Sequence, residues 1–248
     1  IASNGTKFAS ELRKQRLLTK ISKSHIYKLL ASKSFTTNAK FKDRLKSFST
    51  HLAKIGQIRL QVENLAIDEA KAIQFYSQLN YKLLDVVTTI VQLTVDSELT
   101  QAFSAYTLFL KGKESAGIER AKFSVVFARG HFLDNEYEEL VMLELEQELF
   151  FHEFAGHTSD ELLQSFGELF SEQAFKSVQQ IKASALYSNN ANIDVTDWFK
   201  AITHKIDKLN LLGDKISAEL ISKANRLKQS SEQERLYWLT ALIALFIL

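Results

Sequence analysis

The apolar positions along the chain recur at the spacing of α-helices. In the first segment Phe8, Leu12, Ile26 and Leu29 fall on one helical face, and Thr19 lies on the same stripe. The same periodicity continues to the end of the chain without a convincing strand pattern. It predicts seven helices, at 3–33, 38–65, 68–95, 96–129, 134–156, 158–187 and from 194 onward.

Local capping signals mark several of the predicted helix ends. Asp96 and Ser97 are good N-cap residues for the fourth helix, and Gly130 is a suitable C-cap. Thr158 is followed three residues later by Glu161, which is the pattern of a capping box at the start of the sixth helix. These signals indicate long helices joined by short connections.

The fold class follows from this pattern and from one feature of the composition. Proline is absent from all 248 residues, although it makes up about 5% of average proteins. Proline breaks helix interiors, so its absence favours long uninterrupted helices. We predict an all-α domain over residues 1–235, with up-and-down helices that form two stacked four-helix-type bundles and share the longest helices.

The net charge is only +2, and basic and acidic residues alternate along the chain. This pattern lacks the basic patches that are typical of nucleic-acid binders, so the sequence predicts no nucleic-acid partner. The chain has no cysteine, which excludes disulfides and thiolate chemistry.

The last thirteen residues, 236–248, carry no charge and include Tyr237 and Trp238 near their start. Aromatic residues at this position are typical of a membrane interface. We therefore expect the last helix to continue into the start of a transmembrane segment, although a spanning helix needs about 20 apolar residues. The alternative is a hydrophobic C-terminal helix that packs on the core of its own domain.

Patterns of catalytic and metal sites are weak. His152 and His157 are five residues apart, whereas the helical zinc motif needs a spacing of four. The acidic residues of the fifth helix lack the Glu-x-x-His pairs of a di-iron bundle and are predicted to form a solvated face; they are Glu138, Glu139, Glu144, Glu146 and Glu148. The sequence therefore predicts neither an enzyme nor a bound metal or cofactor.

The stretch KGKESAGIERA, residues 111–121, is unusual for the interior of a long helix. Lys113, Gly117, Arg120 and Ser124 fall on one helical face. Glycine inside a helix costs about 1 kcal/mol relative to alanine, so Gly117 indicates the close approach of a ligand or a neighbouring backbone. One interpretation is a pocket for a small anion beside Arg120. The other is a glycine for helix packing, with the arginine paired to a neighbouring acid, Glu114 or Glu119.

Arg16 in the first helix is a second candidate for binding an anion. It follows Leu12 by four residues and precedes Thr19 by three, which places it at the edge of the apolar stripe. The alternative is an arginine whose stem covers the core while its charge stays in solvent.

Three segments of the chain resemble the motifs of the nitrate- and nitrite-sensing (NIT) domain family. The stretch LFLKGKESAGIERAKFSVVFARG resembles its central signature, with matches at Lys113, Glu114, Gly117, Glu119, Arg120 and Ala121. LRKQRLLTKIS resembles the first-helix motif: Arg16 matches its arginine, while Gln15 and Leu17 replace the usual glutamate and glycine. DVTDWFKAITHKIDKL resembles the third motif through Trp198, Thr203 and Ile206.

The resemblance implies a pair of helical bundles that bind nitrate or nitrite through Arg16 and Arg120. It also implies a homodimeric sensor in the periplasm, anchored in the bacterial inner membrane as part of a transmembrane receptor; the receptor type we expect is a methyl-accepting chemotaxis protein. The main alternative is a helical protein–protein interaction module without a small-molecule ligand.

Overall fold

A computed structural model describes residues 9–30, 38–94, 96–188 and 190–230. These residues form helices and connecting turns without a strand, which confirms the predicted all-α class. Within the described ranges the helices are α1 (Ala9–Leu30), α2 (Ala39–Ala53), α3 (Ile55–Glu63), α4 (Glu69–Leu93), α5 (Ser97–Arg129), α6 (Glu136–His157), α7 (Asp160–Ser171), α8 (Gln173–Tyr187) and α9 (Val195–Ser230).

Neighbouring helices run antiparallel, as the contacts between α4 and α5 show. Near the middle of both helices the Asn80 amide donates to the Glu114 carboxylate over 2.8 Å. At their junction the Thr100 hydroxyl donates to the carbonyl of Thr94. The helices α5 and α9 also run antiparallel. The helices therefore pack as the predicted up-and-down bundle.

The buried apolar side chains form separate clusters along this bundle. One cluster joins α2, α3 and α4 around Phe41, Phe48 and Phe75. The largest cluster lies mainly between α5, α6, α7 and α9 and includes Phe109 and Phe154, both completely buried. A third cluster surrounds Trp198, Phe123 and Leu140 and is formed mainly by α5, α6, α8 and α9.

Two of the helices predicted from the sequence are each divided in the structure. The predicted helix 38–65 is interrupted at Lys54, whose backbone remains right-handed, so the interruption is a small irregularity between α2 and α3. The predicted helix 158–187 is divided at Glu172, whose ψ of 146° is extended. The second interruption is a real break between α7 and α8.

The capping predictions had different outcomes. Asp96 caps α5 by accepting from the backbone N–H of Leu99, and Gly130 ends the same helix at φ 83°. The predicted capping box was wrong: α7 is preceded by Ser159, while Thr158 is the C-cap of α6. The Ser159 hydroxyl donates to Glu219 of α9, so it stabilises contact between helices instead of a helix end.

The predicted transmembrane segment at 236–248 lies outside the described residues. Among those that are described, no helix combines the length and the apolar composition that a bilayer crossing requires.

Candidate functional site

The four predicted site residues of the central motif all lie on α5. Lys113, Gly117, Arg120 and Ser124 are each half-buried, and they follow one another at helical spacing along the same side. This side of the helix lies between the fully buried core and solvent, which is where a small polar ligand can be desolvated and still enter.

Arg120 is oriented by residues of the third motif, on α9. Its guanidinium donates to the hydroxyl of Thr203 over 3.3 Å and lies 5.3 Å from the ring centre of Phe199. Its backbone carbonyl accepts from the indole N–H of Trp198 at 3.1 Å and from the Ser124 hydroxyl at 2.6 Å. The structure thus brings the second and third motifs into direct contact.

The hydrogen bond that Ser124 donates shows that this residue does not have the predicted role of an anion donor. A hydroxyl has one proton to donate, and the Ser124 proton is already directed to the carbonyl one turn earlier. In this arrangement Ser124 offers an anion no donor, and its evident contribution is to support the backbone of Arg120.

The two glycines of the central motif serve different purposes. A Cβ added at Gly112 would lie 2.6 Å from the Phe151 ring, so Gly112 allows α5 and α6 to pack closely. A Cβ added at Gly117 would meet no protein atom within 4 Å outside its own helical turn. Helix packing therefore explains Gly112. It does not explain Gly117, which lies one turn before Arg120 and faces open space.

Glu114 adds a carboxylate to the site. It accepts a hydrogen bond from Asn80 of α4. Burial is the largest influence on its carboxyl and raises its pKa to about 7, against the opposing effects of Asn80, Lys113 and Arg120. Glu114 therefore changes charge near neutral pH.

The two basic groups of the site are desolvated and not neutralised by a close carboxylate. Burial lowers the pKa of Arg120, with Asp207 and Glu114 acting in the opposite direction. Burial also lowers the pKa of Lys113, against Asp214 and Glu114. Within the described part of the chain, neither cation forms an ion pair. An anion placed here would restore the stabilisation that both cations lose on burial.

Arg16 lies on α1, and its guanidinium forms an ion pair with Glu63 at the end of α3. No hydrogen bond or ion pair joins it to Arg120 among the described residues, so the convergence of the two arginines stays a prediction. Its Nε–H is buried without a hydrogen-bond partner. Leu17, which replaces the usual glycine of the motif, is 61% exposed and points largely to solvent.

Glu119 belongs to a different group of residues from the one expected. It is completely buried and pairs with Lys182 of α8 at 2.8 Å, and Lys182 also pairs with Glu144 of α6. The sequence had placed Glu144 on a solvated acidic face, and for this residue the prediction was wrong. The sequence signal for this network was the presence of Lys182 and Lys205 at core-facing positions of α8 and α9.

Comparison with known proteins supports the motif assignment. The family model described as nitrate and nitrite sensing matches residues 1–221. A nitrate regulatory protein from Klebsiella oxytoca is 24% identical over 237 residues, which are 94% of this chain and 59% of that protein. The structure of the NasR transcription antiterminator is similar over 99% of this chain and 70% of that one, with a TM-score of 0.79 and 21% identity. The chain thus spans less than two thirds of the length of the regulatory protein.

These relatives contradict three expectations from the sequence. A nitrate regulatory protein and a transcription antiterminator are not chemoreceptors, so the transmembrane receptor and its periplasmic, inner-membrane location were wrong. The physical reason is that an apolar stretch such as 236–248 is equally typical of a helix buried in a protein core, so it does not by itself indicate a membrane receptor. The exclusion of nucleic acid as a partner was also wrong, because antitermination acts on transcription. The homodimer stays a prediction.

Proposed function

Because the chain belongs to the family of nitrate- and nitrite-sensing domains, we propose that it binds nitrate or nitrite as the sensory part of a regulatory protein. It acts by binding and catalyses no reaction. The proposed site is the half-buried side of α5 around Arg120, Lys113 and Gly117.

One observation carries this proposal: Arg120 and Lys113 are desolvated on the side of α5 where Gly117 faces open space. A guanidinium is a planar fork of donors that suits a planar oxyanion. Thr203 and Phe199 hold this fork in place. The site therefore combines positive charge, a fixed orientation and room for a small ligand.

Arg16 is proposed as the second arginine of the site. This role is supported by the match to the first-helix motif and by the buried Nε–H, which has no hydrogen-bond partner. The Glu63 carboxylate holds the other end of the guanidinium. Arg16→Ala should therefore weaken nitrate binding, whereas Glu63→Gln removes the ion pair and keeps the guanidinium.

The regulatory part of the proposal comes from the relatives. One is named a nitrate regulatory protein and another a transcription antiterminator. We propose that this chain senses the anion for a regulator of transcription of that kind.

We also propose that the helices form two stacked bundles, as the sequence predicted. The α2–α4 cluster is distinct from the two clusters built mainly by α5–α9, and this supports the division; Leu84 of α4 belongs to the largest cluster, where the two bundles adjoin. Contacts such as Asn80 with Glu114 join the two bundles beside the proposed site, so a bound anion would influence how they pack.

Thermal unfolding in the presence of nitrate tests the sensor. A ligand of four heavy atoms is limited to about −6 kcal/mol, a Kd of tens of micromolar at best. At 100 times Kd, nitrate should stabilise the fold by about 2.7 kcal/mol, which raises the melting temperature by several degrees. Chloride at the same concentration should give a much smaller shift. Equal shifts with nitrate, nitrite and chloride would favour the interaction module that the sequence also allowed.

A further inference from the structure

A second cavity lies between α6 and the α7–α8 pair. Its volume is about 290 Å³, near the lower end of ligand pockets. Its walls are aromatic: Phe151, Phe166 and Phe175 are buried, whereas Phe170 is 47% exposed. None of the predicted anion-site residues lines it, so this cavity is distinct from the site around Arg120.

Two almost completely buried lysines are among the polar residues that line this cavity; the others are Glu144, Gln147, Glu148, His152 and Gln179. Lys182 and Lys205 are 3% and 5% exposed. Lys182 is well neutralised, because Glu119 and Glu144 each lie 2.8 Å from its ammonium. These two carboxylates raise the pKa of Lys182 despite its burial.

Lys205 has weaker partners than Lys182. It donates to the side-chain oxygen of Gln147 at 2.6 Å, and its nearest carboxylate, that of Glu119, is 3.9 Å away. An ammonium carries three N–H donors, so Lys205 keeps unused donor capacity at the cavity. Burial is the main reason that its pKa is lowered, and Lys182 adds to this effect.

We propose that this cavity binds a small aromatic monocarboxylate, whose carboxylate accepts hydrogen bonds from Lys205 while its ring lies among Phe166, Phe170 and Phe175. The ammonium of Lys205 already lies 5.6 Å from the centre of the Phe175 ring, so the charged and aromatic parts of the site are adjacent. Glu144 and Glu148 also line the cavity. Their carboxylates disfavour a second negative charge, which selects a monocarboxylate over a dicarboxylate.

Calorimetric titration of the whole chain with benzoate tests this proposal. Benzoate should bind with the same affinity in the presence and absence of nitrate. Lys205→Met should weaken it about ten-fold or more, the loss expected for a hydrogen bond to a charged group. Lys215→Met, which changes an exposed lysine of the same helix, should leave the affinity unchanged.

A second pair of variants avoids the buried network. Gln179 is exposed at the edge of the cavity, so Gln179→Trp should block benzoate without disturbing the fold. The adjacent Gln180→Trp should not. The proposal is overturned if benzoate does not bind, if nitrate competes with it, or if the Lys205→Met and Gln179→Trp variants bind benzoate as tightly as the unmodified chain does. Stronger binding of benzylamine than of benzoate would also overturn it, because that result would assign the recognition to Glu144 and Glu148.

Discussion

The indole of Trp198 on α9 donates to the backbone carbonyl of Arg120 on α5, over an Nε1–O distance of 3.1 Å. Trp198 is completely buried, and its ring packs against Phe123 and Phe127 at centroid distances of 5.0 and 5.6 Å. The residue that presents the guanidinium is therefore fixed to α9 through its own backbone. Movement of Arg120 and movement of α9 are linked at this point.

Replacing Trp198 by phenylalanine should lower the free energy of unfolding by about 1–3 kcal/mol, because it removes a buried hydrogen bond and leaves a small cavity. Nitrate affinity should fall as well, because the backbone at Arg120 loses a support. Urea unfolding and nitrate titration check the two effects. Ser124→Ala, which removes the other side-chain hydrogen bond to the same carbonyl, should cost no more than about 1 kcal/mol. An unchanged nitrate affinity in Trp198→Phe would show that this contact does not position the site.

Gly117→Ala should stabilise the protein by about 0.5–1 kcal/mol, because alanine favours helix and the added Cβ meets no protein atom within 4 Å. It should also weaken nitrate binding, since the methyl group occupies space beside Arg120. Gly167→Ala in α7 is the matched control: its Cβ also has open space, so it should stabilise without affecting nitrate. Gly112→Ala should destabilise, because its Cβ clashes with Phe151. Unchanged nitrate affinity in Gly117→Ala would remove this glycine from the proposed site.

The pKa of Glu114 predicts a pH dependence of stability. The folded protein keeps this proton up to about pH 7, whereas the unfolded chain releases it near the ordinary value of 4.5. The free energy of unfolding should therefore decrease as the pH rises from 4.5 to 7, by up to about 3 kcal/mol from this group. Glu114→Gln should flatten this part of the profile, measured by urea unfolding at a series of pH values. An identical profile in the variant would show that Glu114 titrates at its ordinary pKa.

The same group should link nitrate binding to a proton. Lys113 and Arg120 on α5, with Asn80 and Tyr81 on α4, surround the Glu114 carboxyl. A bound anion repels the ionised carboxylate, so nitrate should bind more tightly at pH 6 than at pH 8. Calorimetry at pH 7 in buffers of different ionisation enthalpy should detect proton uptake, and Glu114→Gln should abolish it.

The buried network around Glu119 predicts a large asymmetry between lysines. Lys182→Met should destabilise by about 3 kcal/mol, because it leaves the completely buried Glu119 without a close cation. Its remaining partners would be the Gln147 amide at 3.3 Å and the Lys205 ammonium at 3.9 Å. Lys122→Met removes the half-exposed pair with Glu139 and should cost at most about 1 kcal/mol. Chemical denaturation measures both. If Glu119→Gln does not restore part of the stability of Lys182→Met, the loss does not come from the unpaired carboxylate.

The helical fold and the central motif were predictable because both depend on local spacing. The absence of proline, the apolar periodicity and the caps at Asp96 and Gly130 required no tertiary information. The break at Glu172, in contrast, depends on tertiary packing and could not be predicted from local spacing. In a straight helix the polar Gln173 and Lys176 would follow Leu169 onto the core face, whereas the break brings Ala174 and Phe175 there instead.

The partners of the site residues were not predictable, because they too depend on tertiary contacts. Glu114 and Glu119 are equally plausible neighbours of Arg120 in the sequence, yet they lie on different sides of α5. Asn80 on α4 and Lys182 on α8 determine their environments, and both come from distant parts of the chain. The receptor prediction was wrong because an apolar stretch such as 236–248 does not by itself distinguish a membrane helix from a helix buried in a protein core.

The most direct test of the anion site is calorimetric titration of nitrate into the unmodified chain and into Arg120 variants. We predict one binding site in the unmodified chain, no detectable binding in Arg120→Ala, and clearly weaker binding in Arg120→Lys, because a point charge lacks the planar fork of donors. Arg226→Ala, which changes an exposed arginine of α9, should bind nitrate like the unmodified chain. Nitrate binding of equal strength in the Arg120→Ala and Arg226→Ala proteins, both folded, would contradict the assignment of the site to Arg120.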